Sequence, residues 1–174
     1  MLDENNISLR LLKESDLDFL YSIENDPLNK QYNEDFQYFS KDTLKKYIKN
    51  STAGIEIFGQ LRFVISLENK PIGLIDLFEY NSLLKQAGIG IFILDCFRNQ
   101  QYGYKALNLL ISYSWNNLDL LFLFANIKKD NMESLNLFTK SGFSYINDNL
   151  YQLSRWGFFF PFFLYYFYLH AKEE

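Results

Sequence analysis

A chain of 174 residues is long enough to bury a core without disulfide staples, and its length suits one domain with one active site. Its 17 basic and 21 acidic side chains leave a formal net charge of -4, so there is no cationic field for a phosphate backbone and nucleic acid is not an expected partner. One cysteine, Cys96, and one histidine, His170, are too few for a disulfide framework or a Cys/His metal cluster, and no metal is expected.

The opening Met1-Leu2-Asp3-Glu4-Asn5-Asn6 is acidic and polar where a signal peptide is basic and then apolar, so a cytoplasmic protein is expected. Ile7-Ser8-Leu9-Arg10-Leu11 alternates like a half-buried strand. Ser15-Asp16-Leu17-Asp18 has the serine-to-acid spacing of a capping box, which predicts a helix starting there, with Leu17, Leu20 and Tyr21 on its apolar stripe. A second helical stripe of Leu44, Tyr47 and Ile48 follows the cap candidate Ser40. Between the two helices, Tyr32-Asn33-Glu34-Asp35-Phe36 is an acidic, aromatic loop. Its composition fits a solvated connection; Tyr32, Glu34 and Asp35 also suit the rim of a site for a cationic substrate.

Leu61 to Leu67 and Ile72 to Phe78 are strand-like runs, and Glu68-Asn69-Lys70-Pro71 between them predicts a hairpin whose proline closes a compact turn. Ala87 to Leu94 is nearly all apolar, as in a strand buried on both faces, with two glycines that permit close backbone approach. After a polar loop over 95–101, Ala106, Leu107, Leu110 and Ile111 recur at helical spacing, and Leu120 to Ala125 is again strand-like. Asp130 with Glu133 fits a capping box for a helix over 131–141, with Leu135 and Phe138 facing one way and Gly142 at its left-handed end. Phe158 to Leu169 is very apolar but shorter than the roughly 20 residues that span a bilayer. It predicts aromatic strands buried against the sheet or a neighbouring subunit, hence a homo-oligomer and no membrane partner.

The loop Arg98-Asn99-Gln100-Gln101-Tyr102-Gly103 joins a buried strand to a helix, where unpaired N–H groups and the positive end of the helix dipole attract an anion. Gly103 lets backbone approach that anion and Arg98 can bind a phosphate oxygen. Asp76 and Glu79, in the second hairpin strand, are candidates to accept a proton. Three residues apart in a regular strand, they point to opposite faces, so at most one reaches a site unless the strand bulges. Cys96 has no histidine near it to activate the thiol, which argues against a covalent acyl-enzyme.

In this order, over residues 7–145, these pieces resemble the GNAT N-acetyltransferase superfamily. The family's phosphate loop, Arg/Gln-x-x-Gly-x-Gly/Ala, matches Arg98 and Gly103 and has Gln101 at its first glycine. Its Asn-x-x-Ser-x-x-x-Tyr-x-x-x-Gly-Phe segment matches Asn131, Ser134, Gly142 and Phe143 and has Phe138 where the tyrosine stands. The resemblance implies an α+β (α/β) fold, a mixed and mostly antiparallel sheet flanked by helices and splayed into a V between two parallel strands, Ala87 to Leu94 and Leu120 to Ala125. It also implies acetyl-CoA as co-substrate. The pantetheine arm would pair with backbone of Ile91, Phe92 and Ile93, the pyrophosphate would lie on Arg98 to Gly103 with Tyr104 beside it, and Asn131 and Ser134 would be polar contacts. Position 138 is where the family's tyrosine protonates the departing thiolate, and phenylalanine has no proton to give; solvent, or a displaced tyrosine such as Tyr102, Tyr104 or Tyr145, must then supply it. Ile72 to Asn81, the acidic loop around Glu34 and Asp35, and Trp115-Asn116-Asn117-Leu118 resemble the ribosomal-protein-type branch that also includes bacterial spermidine/spermine acetyltransferases, which implies a polyamine or other small primary amine as acceptor. A protein N-terminus, an amino sugar, or a weakly catalytic coenzyme-binding module are the alternatives.

Overall fold

A computed structural model describes residues 2–4, 6–27, 37–51 and 53–156. The acidic loop with Tyr32, Glu34 and Asp35, the aromatic segment Phe158 to Leu169 and His170 lie outside the described residues. The strands are β1 (Leu2–Glu4), β2 (Ile7–Leu11), β3 (Leu61–Leu67), β4 (Lys70–Asn81), β5 (Gln86–Ile93), β6 (Phe122–Asn126), β7 (Ser144–Asn147) and β8 (Leu150–Ser154). The helices are α1 (Leu17–Glu24), α2 (Lys41–Asn50), the single turn α3 (Ile55–Phe58), α4 (Tyr102–Asn117) and α5 (Met132–Lys140). The strands form one eight-stranded sheet in the order β1-β2-β3-β4-β5-β6-β8-β7. Every pair is antiparallel except β5 with β6, as expected where a helix crosses over between two strands.

Strand alternation divides the core between the two faces of the sheet. On one face Phe63, Ile65, Ile75, Leu77 and Ile89 pack with Ala106, Leu107 and Leu110 of α4, together with Phe138 of α5 and Phe143. On the other, Val64 and Leu74 pack with Leu20 and Ile23 of α1 and Leu44 and Ile48 of α2. Arg62, Asp76 and Gly90 share the parity of Val64, Leu74 and Phe92 and therefore belong to the α1/α2 face.

Several local expectations are corrected. The β3–β4 turn is only Glu68 and Asn69, both left-handed with φ 48° and 70°, a geometry that matches the twist of the flanking strands. Pro71 sits inside β4, opposite Ser66, at a register shift, a bulge where a missing N–H is tolerated. Ser15 does not cap α1. A 3-10 turn (Glu14–Asp16) precedes it, and Asp16 accepts from the Lys13 N–H at 2.8 Å and from both terminal nitrogens of Arg10 at 2.7 and 2.8 Å. Asn131, rather than Asp130, caps α5, its Oδ1 accepting from the Ser134 N–H at 3.1 Å. Ser40 caps α2 as expected, accepting from the Thr43 N–H at 3.1 Å. Among the described residues no helix is long and apolar enough to cross a membrane.

Candidate active site

β5 and β6 pair only at Gln86 with Phe122, Ala87 with Leu123 and Gly88 with Phe124. A Cβ on Gly88 would lie 2.4 Å from the Phe78 ring and 2.9 Å from that of Phe124, so only glycine fits beneath the edge-to-face pair those rings make at 5.8 Å. Beyond Gly88 the strands part. Ile89 to Ile93 stay paired to β4 along one edge, while β6 no longer pairs with the other, which leaves backbone groups for an added strand. This explains why β5, expected to be buried on both faces, is buried over Ala87 to Ile89 and half-buried from Gly90 on. A cleft of about 1160 Å³ opens at the fork and is lined by Ile91, Phe92 and Ile93.

One end of the cleft is the first turn of α4. Arg98, Asn99, Gln101, Gly103 and Tyr104 line it, whereas Gln100 donates to the Cys96 carbonyl at 3.0 Å and Tyr102 packs on the core. Cys96 is exposed and does not line the cleft. Gln101 is the N-cap of α4 and holds φ 64°, ψ 5°; Asn99 is left-handed as well, at φ 59°. The backbone shape that a glycine supplies at the first-glycine position is therefore reached with glutamine, at a cost of roughly 1–2 kcal/mol. The first-turn N–H groups of α4 have no intrahelical partner, and Gln101, Gly103 and Tyr104 of that turn line the cleft. A Cβ on Gly103 would meet Leu137, Ile93 and Ile91 only at 3.6–3.9 Å, ordinary contact, so packing within the chain does not demand glycine there. Arg98 donates through Nε to the Ile93 carbonyl at 3.1 Å, and its outer nitrogens reach Asp95 at 3.0 Å and Glu133 at 3.5 Å. That tether holds the guanidinium at the loop with exposed, exchangeable acids as partners. A left-handed loop, a free helix N-terminus and a tethered arginine fit a pyrophosphate.

The far end crosses the sheet plane to Glu24, Arg62, Leu74 and Asp76. Arg62 lies between the two acids, with Nη1 2.6 Å from Glu24 and Nε 3.7 Å from Asp76, and its guanidinium stands 5.6 Å from the centre of the Tyr47 ring. Burial disfavours the charged arginine, but Asp76, Tyr47 and Glu24 outweigh it and hold the group above its ordinary pKa. Burial pushes the Tyr47 hydroxyl up, with Arg62 opposing and the acids adding to the rise. Gly90 opposes Asp76 in the ladder, and a Cβ there would come within 3.3 Å of its carboxylate. Glu79 sits apart from Asp76. It is left-handed, φ 49°, at a β4 bulge before Asn81, exposed and away from the cleft lining.

Asn131, Ser134 and Phe138 of α5 form the opposite wall. Phe138 is 3% exposed and meets Phe143 edge-to-face at 5.0 Å. The Phe143 N–H bonds to the Phe138 carbonyl and that of Gly142 to Thr139, each at 3.0 Å, with Gly142 at φ 92°. This is a Schellman motif with its apolar contact, so Phe138 belongs both to the helix stop and to the cleft wall.

With that geometry in place, comparison with known proteins gives the family. The acetyltransferase (GNAT) domain family matches residues 6–144. The chain belongs to the GNAT acetyltransferase family. It is 24% identical over 148 residues to the spermidine N(1)-acetyltransferase of Escherichia coli K12, covering 83% of this chain and 76% of that one. It is 25% identical over 140 residues to the corresponding Vibrio cholerae enzyme, covering 80% and 79%. Among solved structures, spermidine N-acetyltransferase from Vibrio cholerae with CoA and spermine superposes with a TM-score of 0.75 at 22% identity, over 87% of this chain and 97% of that one. A ribosomal alpha-N-protein acetyltransferase in complex with coenzyme A gives 0.71 at 17% identity, over 87% and 95%. The expected GNAT fold is the fold observed.

Glu24 and Arg62 were not legible in the sequence as site residues. They come from α1 and β3, separated in the sequence by the whole of α2 and α3, and the β3–β4 register and the seating of α1 on the sheet bring them to Asp76.

Proposed function

We propose that this GNAT acetyltransferase moves the acetyl group of acetyl-CoA directly to a primary amine, with a polyamine as the favoured acceptor, as one cytoplasmic domain that assembles as a homo-oligomer. The observation that carries the reading is one cleft running from the α4 N-terminus, along the unpaired edge of β5, to an acid-rich end at Asp76. Pyrophosphate binds at Arg98 to Gly103, and the pantetheine arm adds to β5 as a strand, with an N–H among Ile91 to Ile93 polarising the thioester carbonyl. The amine nitrogen attacks that carbonyl carbon, the carbon–nitrogen bond forms, the carbon–sulfur bond breaks, and CoA leaves as thiolate. A primary alkylamine is mostly protonated near neutral pH, its reference value being about 10.4, so a base must take its proton. We assign that role to Asp76, supported by its position in the lining of the cleft.

Two acids against one cation at that end favour a cationic acceptor, and we assign Tyr32, Glu34 and Asp35, which lie outside the described residues, to recognition of a longer polycation. Relatives named spermidine acetyltransferases, one solved with spermine, support the polyamine, and a dodecameric relative supports assembly. A second reading, a coenzyme-binding module with little turnover, is favoured by one observation, the missing hydroxyl at Phe138.

Calorimetric titration with acetyl-CoA tests the coenzyme's placement. Arg98→Glu sets a carboxylate beside the pyrophosphate and weakens binding at least about tenfold, the value of one charge-assisted hydrogen bond. An unchanged Kd removes the coenzyme from this loop.

A further inference from the structure

The β3–β4 register sets Arg62 directly opposite Asp76. Opposite charges facing across adjacent antiparallel strands ordinarily close into a pair, yet Nε of Arg62 stays 3.7 Å from Asp76, beyond hydrogen-bond distance, while Nη1 closes to 2.6 Å on Glu24 of α1. Nε is buried and has no hydrogen-bond partner among the described residues. A buried donor left unmade costs free energy, so something outweighs its bond to Asp76. The pull of Glu24 on the other end of the guanidinium, with the Tyr47 ring 5.6 Å from it, supplies that force. As a result the Asp76 carboxylate, among the described residues, accepts a hydrogen bond only from the Gln60 amide at 3.3 Å, holds Arg62 at the loose ion-pair distance of 3.7 Å, and keeps acceptor capacity for the cleft it lines.

We infer that Glu24 is a positioning residue that holds Arg62 off Asp76 and so keeps the Asp76 carboxylate open to the acceptor's ammonium group. The inference rests on the amine-transfer reading above. Glu24 needs no contact with substrate; it acts through Arg62. When it is lost, Arg62 has one acid left, the opposed pair closes, and the acceptor end of the cleft no longer offers a free carboxylate to a cation. The coenzyme end, on the far side of the fork, is untouched.

The experiment compares the wild type with Glu24→Gln and with Glu24→Gln/Arg62→Gln. It measures acetyl-CoA Kd by calorimetry, and KM and kcat for spermidine by thiol release. Glu24→Gln raises the spermidine KM about tenfold, the cost of one charge-assisted hydrogen bond, and leaves the acetyl-CoA Kd within about twofold, which also reports an intact fold. Removing Arg62 as well returns the spermidine KM toward the wild-type value, because nothing then occupies Asp76. An unchanged KM in Glu24→Gln overturns the inference. So does a double variant as impaired as the single one, since Glu24 would then bind the amine itself. A wild type that binds acetyl-CoA but acetylates no member of an amine panel overturns the amine-transfer reading and the inference together, an outcome distinct from turnover that is insensitive to Glu24.

Discussion

At position 138 a phenylalanine does two jobs with one ring. Its contact with Phe143 closes the end of α5, and its edge forms part of the cleft wall. A tyrosine there would keep the contact and add a proton donor at the wall, where the proposed mechanism has charge developing on sulfur as CoA leaves. General acid catalysis contributes 10²- to 10⁴-fold, and a hydroxyl without a partner in an apolar site costs about 1–3 kcal/mol. Phe138→Tyr is expected to raise kcat about 100-fold with acetyl-CoA affinity unchanged. A lowered thermal midpoint with no gain in rate would show that the added oxygen points into the core. Gln101 carries a different kind of information. The sequence shows a missing glycine, and the backbone shows the glycine's conformation retained at φ 64°. Gln101→Val puts a branched side chain into that left-handed position and should cost more than about 1 kcal/mol in chemical denaturation, whereas Gln101→Gly should cost nothing. Equal stability of all three would mean that the loop is not left-handed at 101. Both residues were legible as departures from a pattern, but their consequences were not, because a motif records side chains and leaves backbone angles unstated.

Among the elements, the helices and strands with strong periodicity were legible within a few residues, α4, α5 and β2 above all. What failed were two helix starts, those of α1 and α5. Capping depends on which of several neighbouring polar side chains turns back to the backbone, and spacing alone could not choose Asn131 over Asp130 or see that Asp16 answers to Arg10. The Asp16 pair also fixes how the 3-10 turn and α1 sit on β2. Its carboxylate is 4% exposed and the Arg10 side chain 13%. Burial alone would raise the Asp16 pKa, but the hydrogen bond and charge of Arg10 and the N–H of Lys13 outweigh it and hold it below 3.8. A depressed carboxyl pKa contributes stability that is fully present above the unfolded value of 3.8 and is lost as pH falls through the lower, folded value. Asp16→Asn leaves Arg10 uncompensated and should cost about 3 kcal/mol near neutral pH. Thermal midpoints followed from about pH 6 to about pH 2.5 should show the gap between wild type and variant narrowing below the unfolded value. A gap that stays constant over that range would mean the carboxylate is not paired.

On the scale of the molecule, the fork in the sheet is what turns these elements into a site. The strand–helix–strand order could be read from the sequence, and the parallel pair followed from the family resemblance. The fork's position could not, because it depends on Phe78 and Phe124 meeting over Gly88 and on α5 standing against the loop after β5. The acceptor end was half legible: Asp76 was a candidate, while the strand bulge that sends Glu79 away, and the partners Glu24 and Arg62, exist only in three dimensions. The central claim is that the coenzyme and an amine meet in this one cleft and exchange an acetyl group. The most direct measurement is thiol release from acetyl-CoA by the purified chain in the presence of spermidine, with the amine product identified by mass spectrometry. Spermidine-dependent release that saturates and yields an equal amount of acetylated spermidine is expected. Saturable acetyl-CoA binding with no amine-dependent thiol release, across spermidine and a panel of other primary amines, would contradict it.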